Sequence, residues 1–320
     1  MANTTRTEIP VEQTEFYDKT LLVKAYPALV HGSYAQIRDI PRNFGTNVIK
    51  FRRYGLLSAN TTALSEGVTP SGTSLSVTDV TATVAQYGDY VTLTDKVQFE
   101  TADPILTETA DILGQQAGNS LDQLMRDVAA AGTTIQYAST STTTATVGPA
   151  MKLDRAEVKE AVKTLKGNDA MKITSMVNPS GDYNTVPVNA CYVGIIHPNT
   201  TFDLKDAEGF IPVEKYANKS NLLPYEVGAL DEVRFVESTN AKRVTGTLVT
   251  YVYKTLILAQ NALGQTRISG ESLRNIIKPL GSAGTADPLD QRSTSGWKAT
   301  FVGKILNNNF LVVLEHAVTE

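Results

Sequence analysis

The residues of this chain whose types could do chemistry are three histidines, one cysteine and a few close carboxylates, and their spacing gathers none of them into a site. His31, His197 and His316 lie far apart in sequence, without the short intervals of a metal-ligand set, so they read as surface or packing residues. Cys191 sits in the apolar run "ACYVGIIHP" (190–198), where a thiol is normally buried and inert. Asp287 and Asp290, in "DPLDQ" (287–291), could in principle hold a divalent cation or share a proton. Nothing nearby supplies the remaining ligands, and a turn after Pro288 is expected. "KFRRY" (50–54) places three cations beside two aromatics. It is too short and isolated for a nucleic-acid patch, and reads as a solvated strand face or as cations for carboxylates of another subunit. Trp297 stands between Gly296 and Lys298 at a strand start and is expected to anchor a core. No G-x-x-x-x-G-K-[ST] or G-x-G-x-x-G loop occurs, and no serine has glycine at both −2 and +2.

The totals describe a globular chain. The chain has 320 residues, 42% hydrophobic and 19% charged, with a formal net charge of −4. This is a globular composition, long enough for one or two domains with a sizeable core. Its acidic balance excludes nucleic-acid binding driven by overall charge. A single cysteine rules out an intramolecular disulfide framework and fits a reducing compartment. The start, "MANTTRTEIPVEQTE", is not patterned as a signal peptide, and no apolar run is long enough for a transmembrane helix.

The pattern then predicts the elements. Residues 15–31 are weakly helical up to Pro27. In "GTNVIKFRRYG" (45–55), Ile49 and Phe51 alternate with Lys50 and Arg52, a strand with one apolar face. "SEGVTPSGTSLSVTDVTATV" (65–84) is rich in Ser and Thr around a Gly/Pro turn, and 81–99 is dense in Thr, Val and Tyr. Two extended arms about a Gly/Pro tip predict a long hairpin whose tip has little to pack on in its own domain. Asp103-Pro104 predicts the start of a helix running to Gly132, with Ile105, Leu106, Ile112, Leu113, Ala117, Leu121, Leu124, Met125 and Val128 in helical periodicity. Gly114 and Gly118 inside it imply close backbone packing or a built-in bend. A second helix is expected at 153–167, and another near 198–206 capped by Asn199 or Thr200. Strands are expected at 190–198 and 231–238, as a pair within 247–268 turning near Gly264, and at 296–316 interrupted at Asn307–Asn309. No internal repeat or long heptad run is present.

The order of these elements resembles the major capsid proteins of tailed bacteriophages, which share the Hong Kong 97-like fold. "YGLLSANTTALSEGVTPSG", "TLTDKVQFETADPILTETADILGQQAG", "VGALDEVRFVES" and "DPLDQRSTSGWKATFVGKILN" resemble recurring segments of the podophage-type coat proteins, and they span about residues 54 to 307. The resemblance implies an α+β fold with an N-terminal arm (1–50), an extended loop (51–97), a peripheral domain with a long spine helix (98–167 and 290–320) and an axial domain (168–289). It implies that residues 65–84 lie across a neighbouring subunit, and that Arg52, Arg53, Glu66, Leu75, Val77 and Val80 make inter-subunit contacts.

The function so implied is a coat protein that assembles into pentamers and hexamers of an icosahedral head around double-stranded DNA, with no catalysis, cofactor or metal. Implied partners are further copies of the chain, a portal protein, a decoration protein, packaged DNA met without sequence specificity, and no membrane. The short stretch before the loop carries no coiled-coil pattern, which points to a separate scaffolding protein. The location implied is the virion, assembled in the bacterial host cytoplasm. Three rivals remain: an encapsulin-like cargo compartment; an α/β enzyme built on residues 168–289, for which the sequence offers no constellation of catalytic groups; and a tail or tube protein, against which the long helix at 104–131 argues.

Overall fold

The computed structural model describes residues 30–42, 45–100, 105–176, 188–217, 222–270 and 273–319. The segment 15–29 and the helix start at Asp103-Pro104 therefore lie outside the described residues. A 3-10 turn at His31–Tyr34 leads into β1 (Gln36–Ile40), followed by β2 (Val48–Tyr54), β3 (Val77–Thr83) and β4 (Ala85–Thr94). A short helix, Asp95–Glu100, precedes the long helix Ile105–Ala130, and β5 (Ile135–Tyr137) follows. After the helix Arg155–Gly167 come β6 (Tyr192–Ile196), the helix Pro198–Asp206, β7 (Ile211–Pro212), β8 (Glu226–Leu230), β9 (Val233–Glu237) and β10 (Arg243–Thr245). The chain closes with β11 (Tyr251–Leu258), β12 (Leu263–Ile268), β13 (Leu273–Lys278), β14 (Arg292–Ile305) and β15 (Leu311–His316).

The larger sheet runs β5-β15-β11-β6-β9-β8-β7, with β10 on β11. Its central strands β15, β11, β6 and β9 are buried at nearly every position because both faces are covered. Alternation sorts them: Ile195, Leu256, Leu258, Leu311 and Val313 join one core, while Ile196, Ile257, Val312 and Leu314 join the other. The first core is closed by the long helix, whose Leu113, Ala117, Leu121, Met125 and Ala129 recur every fourth residue. Gly114 and Gly118 are buried beside this stripe. The second core is closed by Val158, Ala161, Val162 and Leu165 of the helix Arg155–Gly167. Asp154 caps that helix, accepting from Arg155 N at 2.6 Å, and Glu157 completes a capping box.

The smaller sheet runs β1-β12-β14-β13, with β4 also on β14. One face of β14 packs Trp297, Ala299 and Phe301 against the long helix. Gly303 is required there, since a Cβ would stand 2.6 Å from Met125 Sδ.

Three expectations change. The stretch 81–99 continues the hairpin only to Thr83: β3 pairs with β2, but β4 pairs with β14 from Arg292↔Thr94 to Phe301↔Ala85. The turn after β11 spans 259–262, with Asn261 at φ 59, and Gly264 lies within β12. Asparagine tolerates that left-handed backbone, and β12 then leaves for the smaller sheet rather than returning along β11. The cap of the helix Pro198–Asp206 is His197, whose ring accepts from Asn199 N at 3.2 Å. Pro198 suits the first helical turn, so the cap must precede it. Sheet membership also cuts across the segment boundaries read from sequence, since β5 and β15 join strands of 168–258 while β12 and β13 join β14.

Candidate assembly surface

The candidate chemical residues among the described ones stand apart, each with its own surroundings. Among the described residues no group of three or more His, Cys, Asp or Glu side chains is placed to hold a metal. His31 is fully buried, with Nδ1 2.9 Å from Asp122 Oδ2. His316 is fully buried between Thr255, whose hydroxyl meets Nε2 at 2.9 Å, and the Ala317 carbonyl, 2.8 Å from Nδ1. Burial pushes its pKa down to about 4, so the ring is neutral, with Nδ1–H donating and Nε2 accepting. His197 caps a helix and packs on Tyr253 at 5.1 Å. Cys191 is buried, and desolvation pushes its thiol up to about 11. Asp287 is buried and accepts from Arg292 N at 2.8 Å, the turn role expected of it. Trp297 is buried, its Nε1 donating to Gln116 of the long helix at 3.1 Å. A cleft of about 680 Å³ at the end of the larger sheet is lined by Lys152, Asn199, Arg243, Tyr251 and Tyr253, without a carboxylate, histidine or cysteine to act as base.

What stands out instead is β2–β3 and the segment it carries. The two strands pair in antiparallel register from Val48↔Thr83 to Tyr54↔Val77, and Gly55 N extends the ladder to Ser76 O at 2.9 Å. On one side of the hairpin Ile49 and Phe51 face Ala82 and Val80; Ala82 is buried, and Val80 is half-buried. From Leu56 to Ser76 there is no helix or strand, only a turn at Glu66–Gly67, and every residue is exposed. Leu56 is 95% exposed, Leu64 74%, Val68 65% and Leu75 65%, so this segment presents apolar side chains that no part of the described chain covers. Burying each fully would contribute roughly 1.5–3 kcal/mol. Soluble monomers rarely leave such a series open.

The sequence-named residues sort as follows. Arg52 forks onto Asp79 across the hairpin, Nε to Oδ1 at 3.0 Å and Nη2 to Oδ2 at 3.3 Å. The hydrogen bond from Arg52 holds the Asp79 carboxyl below the usual carboxylate range. Arg52 is thus engaged within its own chain, while Arg53, opposite Thr78 on the other side of the strand, is exposed. Glu66 lies exposed at the turn, and Val77 is exposed at the hairpin's end.

Two buried polar clusters escaped the sequence reading. Asp122, fully buried on the long helix, accepts from Val30 N at 2.9 Å, His31 N at 2.8 Å and Asn240 Nδ2 at 3.0 Å in addition to the His31 ring. Glu226 and Arg234, side chains 1% and 2% exposed, form a fork that Tyr216 OH joins at 2.8 Å. A carboxylate beside the apolar stripe of a helix, as Asp122 is, demands a buried partner, which is the signal that could have found the first.

No family model matches the chain, and no curated protein matches it by sequence. Solved structures do. The capsid of Ralstonia phage GP4 superposes with a TM-score of 0.70 at 13% identity, over 91% of this chain and 89% of that one. The capsid of cyanophage P-SCSP1u gives 0.63 at 13% identity over 91% and 88%, and that of cyanophage Pam1 gives 0.60 at 15% over 91% and 93%. A virus-like particle from Pyrococcus furiosus matches at 0.50, with 13% identity over 95% and 99%. The chain therefore has the fold of a phage capsid protein.

Proposed function

We propose that this chain is a major capsid protein of a tailed phage, self-assembling into pentamers and hexamers of an icosahedral head around double-stranded DNA. The observation that carries the reading is the exposed apolar segment 56–76 on a two-stranded hairpin, in a chain of phage-capsid fold. In the Hong Kong 97-like scheme it is part of the extended loop, the long helix is the spine of the peripheral domain, and strands β6 to β11 of the larger sheet belong to the axial domain. Leu75, Val77, Val80, Glu66 and Arg53 then contact a neighbouring subunit, and Arg52 does so from within its Asp79 fork. Many modest contacts of this kind close a shell through multivalency. Assembly in the host cytoplasm on a separate scaffolding protein, about a portal, completes the proposal, and such a role requires no catalytic group.

The match to the virus-like particle favours a second reading, a shell that houses protein rather than a genome. Both readings are tested by expressing the chain with and without residues 58–74, which removes the segment and spares the β2–β3 ladder. Sedimentation and electron microscopy should show shells or capsomers for the full chain, alone or with a scaffold, and a monomer for the deletion. A full chain that stays monomeric beside a candidate scaffold overturns the capsid reading. Nuclease-protected DNA inside particles from infected cells separates a phage head from a cargo compartment.

A further inference from the structure

The cleft of about 680 Å³ at the end of the larger sheet lies between the β10–β11 hairpin on one side and residues 149–152 and 317–319 on the other. In the hairpin Arg243 stands opposite Tyr253 and Val244 opposite Val252. Strand alternation sends Val252 into a core with Val147 and Ala317, and turns Arg243, Tyr251 and Tyr253 to the cleft. Across from them, a bridge between Lys152 and Ala317 brings up Lys152, whose Nζ donates to Thr319 Oγ1 at 2.7 Å and stays 4.0 Å from Asp203 Oδ1. None of the described residues lining the cleft is an Asp or Glu, although the chain as a whole is acidic.

Two of these groups hold unused hydrogen-bond donors. Arg243 is exposed, its guanidinium lies 4.4 Å from the centre of the Tyr251 ring, and it pairs with no carboxylate among the described residues. Stacking occupies the face of a guanidinium and leaves its in-plane N–H fork open to an oxyanion. Tyr253 is only 4% exposed, and its hydroxyl accepts from Asn199 Nδ2 at 3.0 Å. The proton of that hydroxyl meets no acceptor among the described residues, whereas a buried tyrosine O–H ordinarily has one. Asn199 has a second amide N–H to give. Cationic and neutral donors thus line one cleft without an acceptor of their own, which is the complement of a negatively charged oxygen group.

We propose that this cleft binds a small organic oxyanion, a phosphate or carboxylate head on a short apolar body. Arg243 takes the head through its fork, Tyr253 and Asn199 donate to it, and Lys152 adds charge from the opposite side. The volume falls within the roughly 300–1,000 Å³ of small-molecule pockets and exceeds what a bare ion needs. Leu248, 59% exposed at the hairpin tip, and Val249 beside it offer an apolar wall for the body. The inference stands apart from the shell reading, since it uses only groups of one chain.

The test titrates four probes into the full chain by calorimetry: phenyl phosphate, 3-phenylpropanoate, inorganic phosphate and the neutral benzyl alcohol. Wild type should saturate with at least one of the first two, bind inorganic phosphate about tenfold more weakly than that probe, and ignore benzyl alcohol. Whichever of the first two binds more tightly identifies the head as phosphate or carboxylate. Arg243→Gln should lose about tenfold or more in affinity, as expected for removing a charge-assisted hydrogen bond. Tyr253→Phe, which keeps the ring, should lose several-fold. Arg243→Gln should melt with wild type in the absence of probe, because that side chain has no ion pair to lose among the described residues. A control, Lys159→Gln on the helix Arg155–Gly167, should bind as wild type does. No saturable binding by wild type, equal binding by Arg243→Gln, or equal weakening by the control overturns the inference. So does an Arg243→Gln chain that binds both anionic probes normally but sediments differently from wild type, since the cleft would then be a contact between copies.

Discussion

The His31 ring and the Asp122 carboxylate meet at 2.9 Å with neither side chain exposed, joining residues 91 apart in sequence. Because the same carboxylate takes the N–H groups of Val30 and His31, the start of the described chain is pinned to the long helix by one side chain. Asp122→Ala should cost about 3–5 kcal/mol, the usual result of removing one member of a buried charged cluster. Asp122→Asn should retain shape yet oppose N–H to N–H. Hydrogen exchange across 30–40 should quicken more than in the larger sheet, and uniform quickening would refute a local pin.

Acid should weaken the fold in two steps. His316 is held neutral with a folded pKa of about 4, below the usual histidine value, so the unfolded chain takes up a proton first as pH falls. Stability is therefore complete above about pH 6.5 and is lost between there and 4, by up to roughly 3 kcal/mol. Burial alone would raise the Asp122 pKa, but its hydrogen bonds to His31 outweigh this and hold it low. Its contribution is present above the unfolded carboxylate value and is lost as pH falls through the lower folded one. Urea midpoints that do not change between pH 7 and 4.5 would contradict the His316 step.

Gly194 and Gly148 should respond oppositely to a methyl group. A Cβ on Gly194 would lie 2.6 Å from Phe235 Cδ1 and 3.0 Å from Val233 Cγ1, whereas one on Gly148 meets nothing within 4 Å. Gly194→Ala should destabilise by about 1–3 kcal/mol through overpacking. Gly148→Ala should be neutral or slightly stabilising. Thermal melts of the two variants decide the matter.

Leu56→Ser and Leu64→Ser should leave the melting temperature of the unassembled chain unchanged, because both side chains are already in water. If a neighbour buries them, each should raise the concentration needed for assembly by about tenfold or more. A changed melting temperature with unaltered assembly would place these leucines against their own chain.

Cys191 should resist thiol reagents in the native protein, since its thiol is buried and its pKa is pushed up to about 11. Labelling should follow global unfolding in urea. Rapid labelling without urea would show that the β6 end of the larger sheet opens locally.

The sequence made the local elements legible. The helical periodicity of apolar residues from Ile105 to Val128 announced the long helix, and the alternation at Ile49 and Phe51 announced β2. Partnerships between distant segments were not legible, because β-branched residues fit many strands equally well. Nothing in "TATVAQYGDY" says that β3 stops at Thr83 and β4 crosses to β14. Arg234, in the strand expected at 231–238, is enclosed, and nothing in that segment alone shows that Glu226 on the adjacent strand supplies its counter-charge. The exposed segment was easier to recognise, since a strand-forming run with few core residues is conspicuous without any partner.

The position of β15 has a consequence for the order of synthesis. It lies between β5 and β11 and supplies Leu311 and Val313 to one core and Val312 and Leu314 to the other. It is also made after every other strand of its sheet. A nascent chain on the ribosome therefore holds an open slot where β15 belongs, with both cores unfinished, however much of the hairpin has already emerged. Until β15 is made and seated, the exposed apolar segment is carried by a body that is not yet complete.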